Sequence, residues 1–232
     1  MLQFQVIDDF NNPNLPISNT GSTLNLASAL RIYEMKSATD KSKFGIPLSL
    51  SGLTFDGEGL VLDGVVGHQA NTSLIEPEEF TIITAFRADI PTATAQVHSS
   101  LAEAVSPFTG SRMAVTTTGA VAVNIGASPA TAGVTTSAIM PAWEMFAETV
   151  SATTVTLTRG SNMGKLTGEI TGRRPALNSL IIGGGYQSPH NVGIKGKIGV
   201  WAAYEGVLSD ATITDLFTKV RAIMAPRGVI LP

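Results

Sequence analysis

The sequence predicts a mainly β protein: an antiparallel β-sandwich with one C-terminal helix and an N-terminal extension. From Leu48 onward, short runs rich in Val and Thr alternate with Gly, Asn and Pro, which is typical of strands and turns. Two pairs of runs are joined by connections too short for a parallel crossover. Hydrophobic residues make up 44% of the 232 residues, enough to fill one large core.

Residues 1–47 differ from the rest and are interpreted as an N-terminal arm, which leaves 48–232 as the sandwich domain. A turn-rich stretch runs from Asn11 to Gly21. After it, apolar residues recur at helical spacing from Leu26 to Tyr33, but the pattern is short, so a brief helix and an irregular strand both remain open. Six apolar residues of the arm are expected to bury against the chain's own sandwich or a neighbouring subunit: Phe4, Val6, Ile7, Phe10, Leu15 and Ile17.

Nine strands are predicted in the body. In chain order they are Leu53–Phe55, Leu60–Asp63, Phe80–Ala88, Arg112–Thr116, Ala120–Ile125, Trp143–Val150, Thr154–Arg159, Ser179–Ile182 and Lys197–Tyr204. One hairpin turns at Thr117-Thr118-Gly119 and another near Ser151. The Ala/Thr/Ser-rich stretch Ala127–Ala138 is interpreted as a loop, and Trp143 and Trp201 are expected to point inward.

One helix is predicted after the last strand. Ser209 is a candidate N-cap, and Pro226 ends the pattern. Six apolar residues share one stripe that should dock on the sandwich: Ile213, Leu216, Phe217, Val220, Ile223 and Met224.

Several degenerate motifs in the correct order resemble the concanavalin A-like lectin/glucanase (laminin-G-like) domains. The opening Leu53–Gly59, the strand Phe80–Phe86 and the strand Trp143–Val150 resemble successive parts of that family. The last third, from Leu180 through Trp201 into the helix, is the closest match. The end of the chain, Val220–Ile230, is similar to the ends of such domains in bacteriophage structural proteins. The resemblance implies a lectin-like jelly roll in a virion protein.

Composition excludes several classes of function. The formal net charge of −3 gives no field that would attract nucleic acid or an anionic membrane. Cysteine is absent, which excludes disulfides and thiolate chemistry. The acidic N-terminal residues do not resemble a secretion signal, and no apolar run is long enough to span a membrane. The protein is therefore expected to bind neither nucleic acid nor membrane.

Catalysis is not expected, although the resembling family includes glycosidases. Those enzymes need two paired carboxylates, and the related glucanases carry Glu-x-Asp-x-x-Glu on one strand. Here Glu144 and Glu148 share one strand face without a third acid, and Glu76-Pro-Glu78-Glu79 is interpreted as a solvated turn. The three histidines are scattered and are expected on the surface or in loops.

A glycan is the best candidate ligand for the Gly-rich loop after Gly183. Tyr186 offers a ring face for stacking, and Gln187, His190 and Asn191 offer planar polar groups beside it. No cofactor is predicted. Calcium is the alternative ligand, because the resembling family often binds it at the sandwich rim, and the acids Asp56, Glu58 and Asp63 cluster in sequence. A solvated Asp-Gly turn pair explains these acids equally well.

These observations favour a non-enzymatic bacteriophage virion protein, a capsid decoration or tail-accessory subunit. Its expected partners are other virion proteins and sister subunits in a homo-oligomer. The alternative is a glycan-binding module of a receptor-recognition protein, with a cell-surface glycan as its partner, and a degenerate glycosidase is a third reading.

Overall fold

A computed structural model describes residues 21–232. This part of the chain forms fifteen strands followed by a helix and a short 3-10 turn. The strands are β1 (Ala29–Tyr33), β2 (Ser49–Ser51), β3 (Thr54–Phe55), β4 (Leu60–Asp63), β5 (Gln69–Ile75), β6 (Phe80–Ala88), β7 (Ala95–Ser99), β8 (Ser111–Val115), β9 (Ala120–Ile125), β10 (Ala132–Ala138), β11 (Glu144–Val150), β12 (Thr154–Arg159), β13 (Lys165–Glu169), β14 (Ser179–Ile182) and β15 (Lys195–Glu205). The helix α1 is Asp210–Met224, and the 3-10 turn is Ala225–Arg227.

The strands form two antiparallel sheets that face each other. The eight-stranded sheet has the order β13-β12-β11-β6-β15-β4-β3, with β1 also paired to β15 beyond the end of β4. The seven-stranded sheet has the order β10-β9-β8-β7-β14-β5-β2. The architecture confirms the predicted mainly β sandwich and both predicted hairpins, β8–β9 and β11–β12.

Alternation along the strands separates two apolar layers. In β6, Ile82 and Phe86 point between the sheets, where Trp201 is also fully buried. Ile83 and Ala85 point to the opposite face of the same strand. The central strands of the eight-stranded sheet are therefore buried on both faces.

The helix α1 covers the outer face of the eight-stranded sheet. Its predicted cap is confirmed, because the Ser209 hydroxyl accepts a hydrogen bond from the Thr212 amide at 3.3 Å. Leu216 and Phe217 pack in the same apolar cluster as Ile83. The predicted stripe is buried except for the half-buried Ile223.

The described part of the predicted arm, residues 21–47, belongs to the sandwich. Strand β1 pairs with β15, so the strand alternative for this stretch is the one observed. Leu24 and Tyr33 are fully buried, and the Tyr204 hydroxyl donates to the Leu24 carbonyl at 2.9 Å. The six apolar residues between Phe4 and Ile17 lie outside the described residues.

Three expectations about the body were wrong. The stretch interpreted as a loop contains the edge strand β10, whose small and polar residues hide its alternation. The sequence also did not predict β2, β5, β7 and β13, because these strands are short or carry many polar residues. Trp143 does not point into the space between the sheets. It is half-buried just before β11 and packs on the helix side.

Candidate functional site

The loop that follows β14 lies on the outer face of the seven-stranded sheet. Met113 of β8 points between the sheets, so its neighbour Arg112 points outward, where it meets His190 of the loop. Glycines allow the loop to fold back closely. Gly183 has φ +70°, and a Cβ on Gly193 would lie 1.9 Å from the Gly183 carbonyl oxygen.

Tyr186 is exposed on this loop and held in place. Its side chain is 37% exposed, and its hydroxyl donates to the Ser179 carbonyl at 3.0 Å. The Ser179 hydroxyl also lies 2.9 Å from the Tyr186 hydroxyl oxygen. These contacts fix the phenol by its polar end, so the ring is presented without the usual loss of side-chain freedom on binding.

The other predicted glycan contacts differ in availability. Gln187 is exposed and Asn191 is half-buried. Both ring nitrogens of His190 are already engaged: Nδ1 accepts from Arg112 at 2.7 Å, so Nε2 donates to the Ala104 carbonyl at 3.0 Å. Burial and the adjacent Arg112 charge lower the pKa of His190, which keeps the imidazole neutral. His190 therefore anchors the loop.

The candidate calcium ligands occupy opposite ends of β4. Asp56 and Glu58 both contact the Lys197 ammonium, with Asp56 at 2.5 Å. Asp63 instead lies 2.8 Å from His68, and that hydrogen bond lowers the pKa of Asp63. Within residues 21–232, no three acidic or histidine side chains converge as a metal site. The structure thus brings two of the three predicted ligands together, around a lysine.

The two acids of β11 are buried and committed to other partners. Glu144 is 1% exposed and accepts from Arg159 Nε at 2.5 Å. Glu148 is fully buried, 2.9 Å from His98 Nε2. Because Trp201 Nε1 donates to His98 Nδ1 at 3.3 Å, His98 is the Nε2–H tautomer and donates to Glu148. Their shared face is observed, but four residues of strand separate them by about 13 Å.

Two expectations about charged groups were wrong. His98 is fully buried between the sheets, although a surface or loop position was expected. Glu76 is also buried, although a solvated turn was expected: it lies 3.0 Å from Arg173 and accepts hydrogen bonds from Ser100 and Ser111. Burial raises the pKa of Glu76, while Arg173 opposes that shift. Their partners lie far away along the chain, so no local pattern could reveal either site.

Two adjoining cavities share Ile139 and Arg159. One has a volume of about 200 Å³ and is lined also by Asn162 and Lys165. The other has a volume of about 420 Å³ and is lined also by Trp143. A third cavity of about 360 Å³ lies at the rim, where Asp63, Asp89 and Lys195 meet. No sequence motif marked the first two cavities, because strands far apart in sequence form them.

The sequence matches no protein-family model and no curated protein sequence. Solved structures show a similar fold. A Trypanosoma rangeli sialidase in complex with sialic acid aligns with a TM-score of 0.66 and 14% identity, over 85% of this chain and 34% of the sialidase chain. The receptor binding domain of botulinum neurotoxin D aligns with a TM-score of 0.64 and 10% identity, over 82% of this chain and 52% of that chain.

These alignments show a shared β-sandwich fold. The chain spans between about a third and about half of the length of these similar structures. One neighbour is named as an enzyme and the other as a receptor binding domain, so the shared fold alone assigns no role to this chain. Within the described residues, 21–232, no helix has both the length and the apolar character needed to cross a bilayer.

Proposed function

We propose that this chain is a non-enzymatic carbohydrate-binding module with a lectin-like sandwich. The observation that carries the proposal is Tyr186, an exposed aromatic ring fixed by Ser179 on a loop that is itself anchored to the seven-stranded sheet. Gln187 follows Tyr186 in the loop and is exposed to solvent. A rigid ring next to an amide suits a sugar, which presents an apolar face and several hydroxyls.

The comparisons support a binding role. The toxin domain is named for receptor binding, and the chain covers 52% of it at a TM-score of 0.64. The sialidase is named as an enzyme, but the chain covers only 34% of it. The recurrence of this sandwich in a receptor-binding domain favours the binding module over a purely structural subunit.

The geometry of the acids supports a role without catalysis. Glycosidases hold their two carboxyl groups about 5–5.5 Å or about 6.5–9.5 Å apart, on either side of the scissile bond. The backbones of Glu144 and Glu148 are about 13 Å apart along β11, and their carboxyl groups engage different partners, Arg159 and His98. Glu148 is buried between the sheets, where no substrate has access. Both carboxylate oxygens of Glu144 already accept hydrogen bonds, one from Arg159 and one from the Met145 amide.

The setting of the module is a further part of the proposal: a bacteriophage virion, as a capsid decoration or tail-accessory subunit in a homo-oligomer. It is supported by the resemblance of the chain's end to phage structural proteins. Antibody labelling of purified particles under the electron microscope tests it directly. Label on the capsid or tail supports the setting, and unlabelled particles contradict it.

A glycan array with the full chain tests the carbohydrate role. We expect reproducible binding to a restricted set of glycans and no release of sugar from the bound ones. Turnover that disappears in Glu144→Gln or Glu148→Gln would contradict the non-enzymatic part. An array without any binding would contradict the carbohydrate part.

A further inference from the structure

The two cavities on either side of Arg159 form one open groove, which we call the Arg159 groove. It runs between the end of β10, the β12–β13 turn and the last residues of the chain. The larger cavity, at about 420 Å³, falls within the range of about 300–1,000 Å³ typical of small-molecule sites. None of the residues that line the two cavities belongs to the loop that carries Tyr186.

The guanidinium of Arg159 is held on one side by Glu144 and is exposed to solvent on the other. Its Nε donates to Glu144 Oε2 at 2.5 Å, and the side chain remains 34% exposed. The other oxygen of Glu144 accepts from the Met145 amide at 2.9 Å. Within residues 21–232, Nη1 and Nη2 of Arg159 make no hydrogen bond. A fixed guanidinium with two free nitrogens is preorganised for an acceptor with two oxygens.

The groups around Arg159 divide the groove into a polar end and an apolar end. Asn162 and Lys165 line the polar end, and the Lys165 ammonium pairs with Asp210 at 2.5 Å. Trp143 and the 92% exposed Ile230 line the apolar end. Glu144 and Asp210 balance the two cations, so hydrogen-bond geometry rather than a net positive field would select the ligand.

We propose that the Arg159 groove binds a small acidic sugar of the uronic acid class. The carboxylate accepts hydrogen bonds from Nη1 and Nη2 of Arg159, and the ring carbons pack against Trp143. This site goes beyond the proposed function, since its lining shares no residue with the loop that carries Tyr186 and it recognises a charged group. A carboxylate is favoured over a lone hydroxyl because it alone engages both guanidinium nitrogens.

The test is a titration of the full chain with methyl glucuronoside, followed by NMR or calorimetry. Methyl glucoside, which lacks the carboxylate, is the matched ligand. We expect the glucuronoside to bind about tenfold more tightly than the glucoside. Arg159→Lys keeps a cation beside Glu144 but loses the planar pair of donors, and should weaken glucuronoside binding about tenfold. Thr218→Ala, at an exposed position of α1 outside the lining of both cavities, serves as the control and should leave glucuronoside binding unchanged.

A second variant keeps the test decisive if Arg159→Lys disturbs folding. Ala142 is exposed and lines the larger cavity together with Trp143, so Ala142→Trp fills the space proposed for the sugar ring while Arg159 and Glu144 are kept. We expect Ala142→Trp to abolish glucuronoside binding at an unchanged melting temperature. Absence of saturable binding to the intact chain, equal affinity for both sugars, or unchanged binding in Ala142→Trp would each overturn the proposal.

Discussion

Replacement of Glu76 by Gln should destabilise the sandwich strongly. Glu76 sits in the β5–β6 loop with its side chain fully buried, and Arg173 reaches it from the loop after β13 with a side chain only 4% exposed. Ser100, just after β7, and Ser111 of β8 donate to the same carboxylate. Gln preserves the shape of the side chain but removes its charge. Arg173 is then left buried without a counter-charge.

The magnitude follows from that unpaired cation. Breaking a buried ion pair by removing one partner costs about 3–5 kcal/mol. For a chain of 232 residues, the unfolding entropy is about 0.5 kcal/mol per kelvin, so the melting temperature should fall by about 6–10 °C. The double variant Glu76→Gln/Arg173→Met removes both charges and should recover part of this loss.

Urea and thermal unfolding of the single and double variants measure these quantities, and Glu78→Gln is the matched control. Glu78 is exposed two residues away, so its replacement should change the free energy of unfolding by no more than about 0.5 kcal/mol. A melting temperature for Glu76→Gln equal to that of the control would refute the buried pair. Strict additivity in the double variant would show that the two residues do not interact.

Two further predictions concern the helix and the loop. Phe217→Ala should lower the free energy of unfolding by about 3–5 kcal/mol, because the ring is buried between α1 and the sheet. The control Thr218→Ala, at an exposed position, should be nearly neutral. Equal melting temperatures of the two variants would mean that the helix is not docked. Folding lowers the pKa of His190 from 6.5, so His190 takes up a proton at a higher pH in the unfolded chain than in the folded chain. The stability advantage of wild type over His190→Gln should therefore shrink as the pH falls from about 7 to about 5, and a pH-independent difference in urea unfolding would contradict it.

The strands predicted from sequence were those with a clear apolar pattern. The bounds of β6 and β9 match the prediction because apolar residues fill most of each strand, and the bounds of β12 match because Val155 and Leu157 alternate with Thr. The edge strand β13 and the polar β5 carry few such residues, and their pairing depends on partners far away along the chain. Edge and polar strands are stabilised by tertiary context, which a local window does not contain.

The candidate site could be predicted only where it is local. Tyr186 follows a run of three glycines, which the local sequence shows directly and which predicts a loop. The role of His190 as an anchor depends on Arg112, 78 residues away. Arg159 meets Ile139 and Trp143 only after β10, β11 and β12 have assembled. Sites formed by side chains that are distant in sequence require the fold before they can be recognised.

The affinity of the full chain for a glycan identified on the array, compared among three variants, tests the central claim most directly. Tyr186→Ala removes the stacking ring and should weaken binding about thirtyfold, the loss typical of an aromatic hot spot. Tyr186→Phe keeps the ring but loses the bond to Ser179, and should weaken it less. Gln187→Ala should give a smaller loss than Tyr186→Ala. Equal affinity of wild type and Tyr186→Ala would contradict the carbohydrate site.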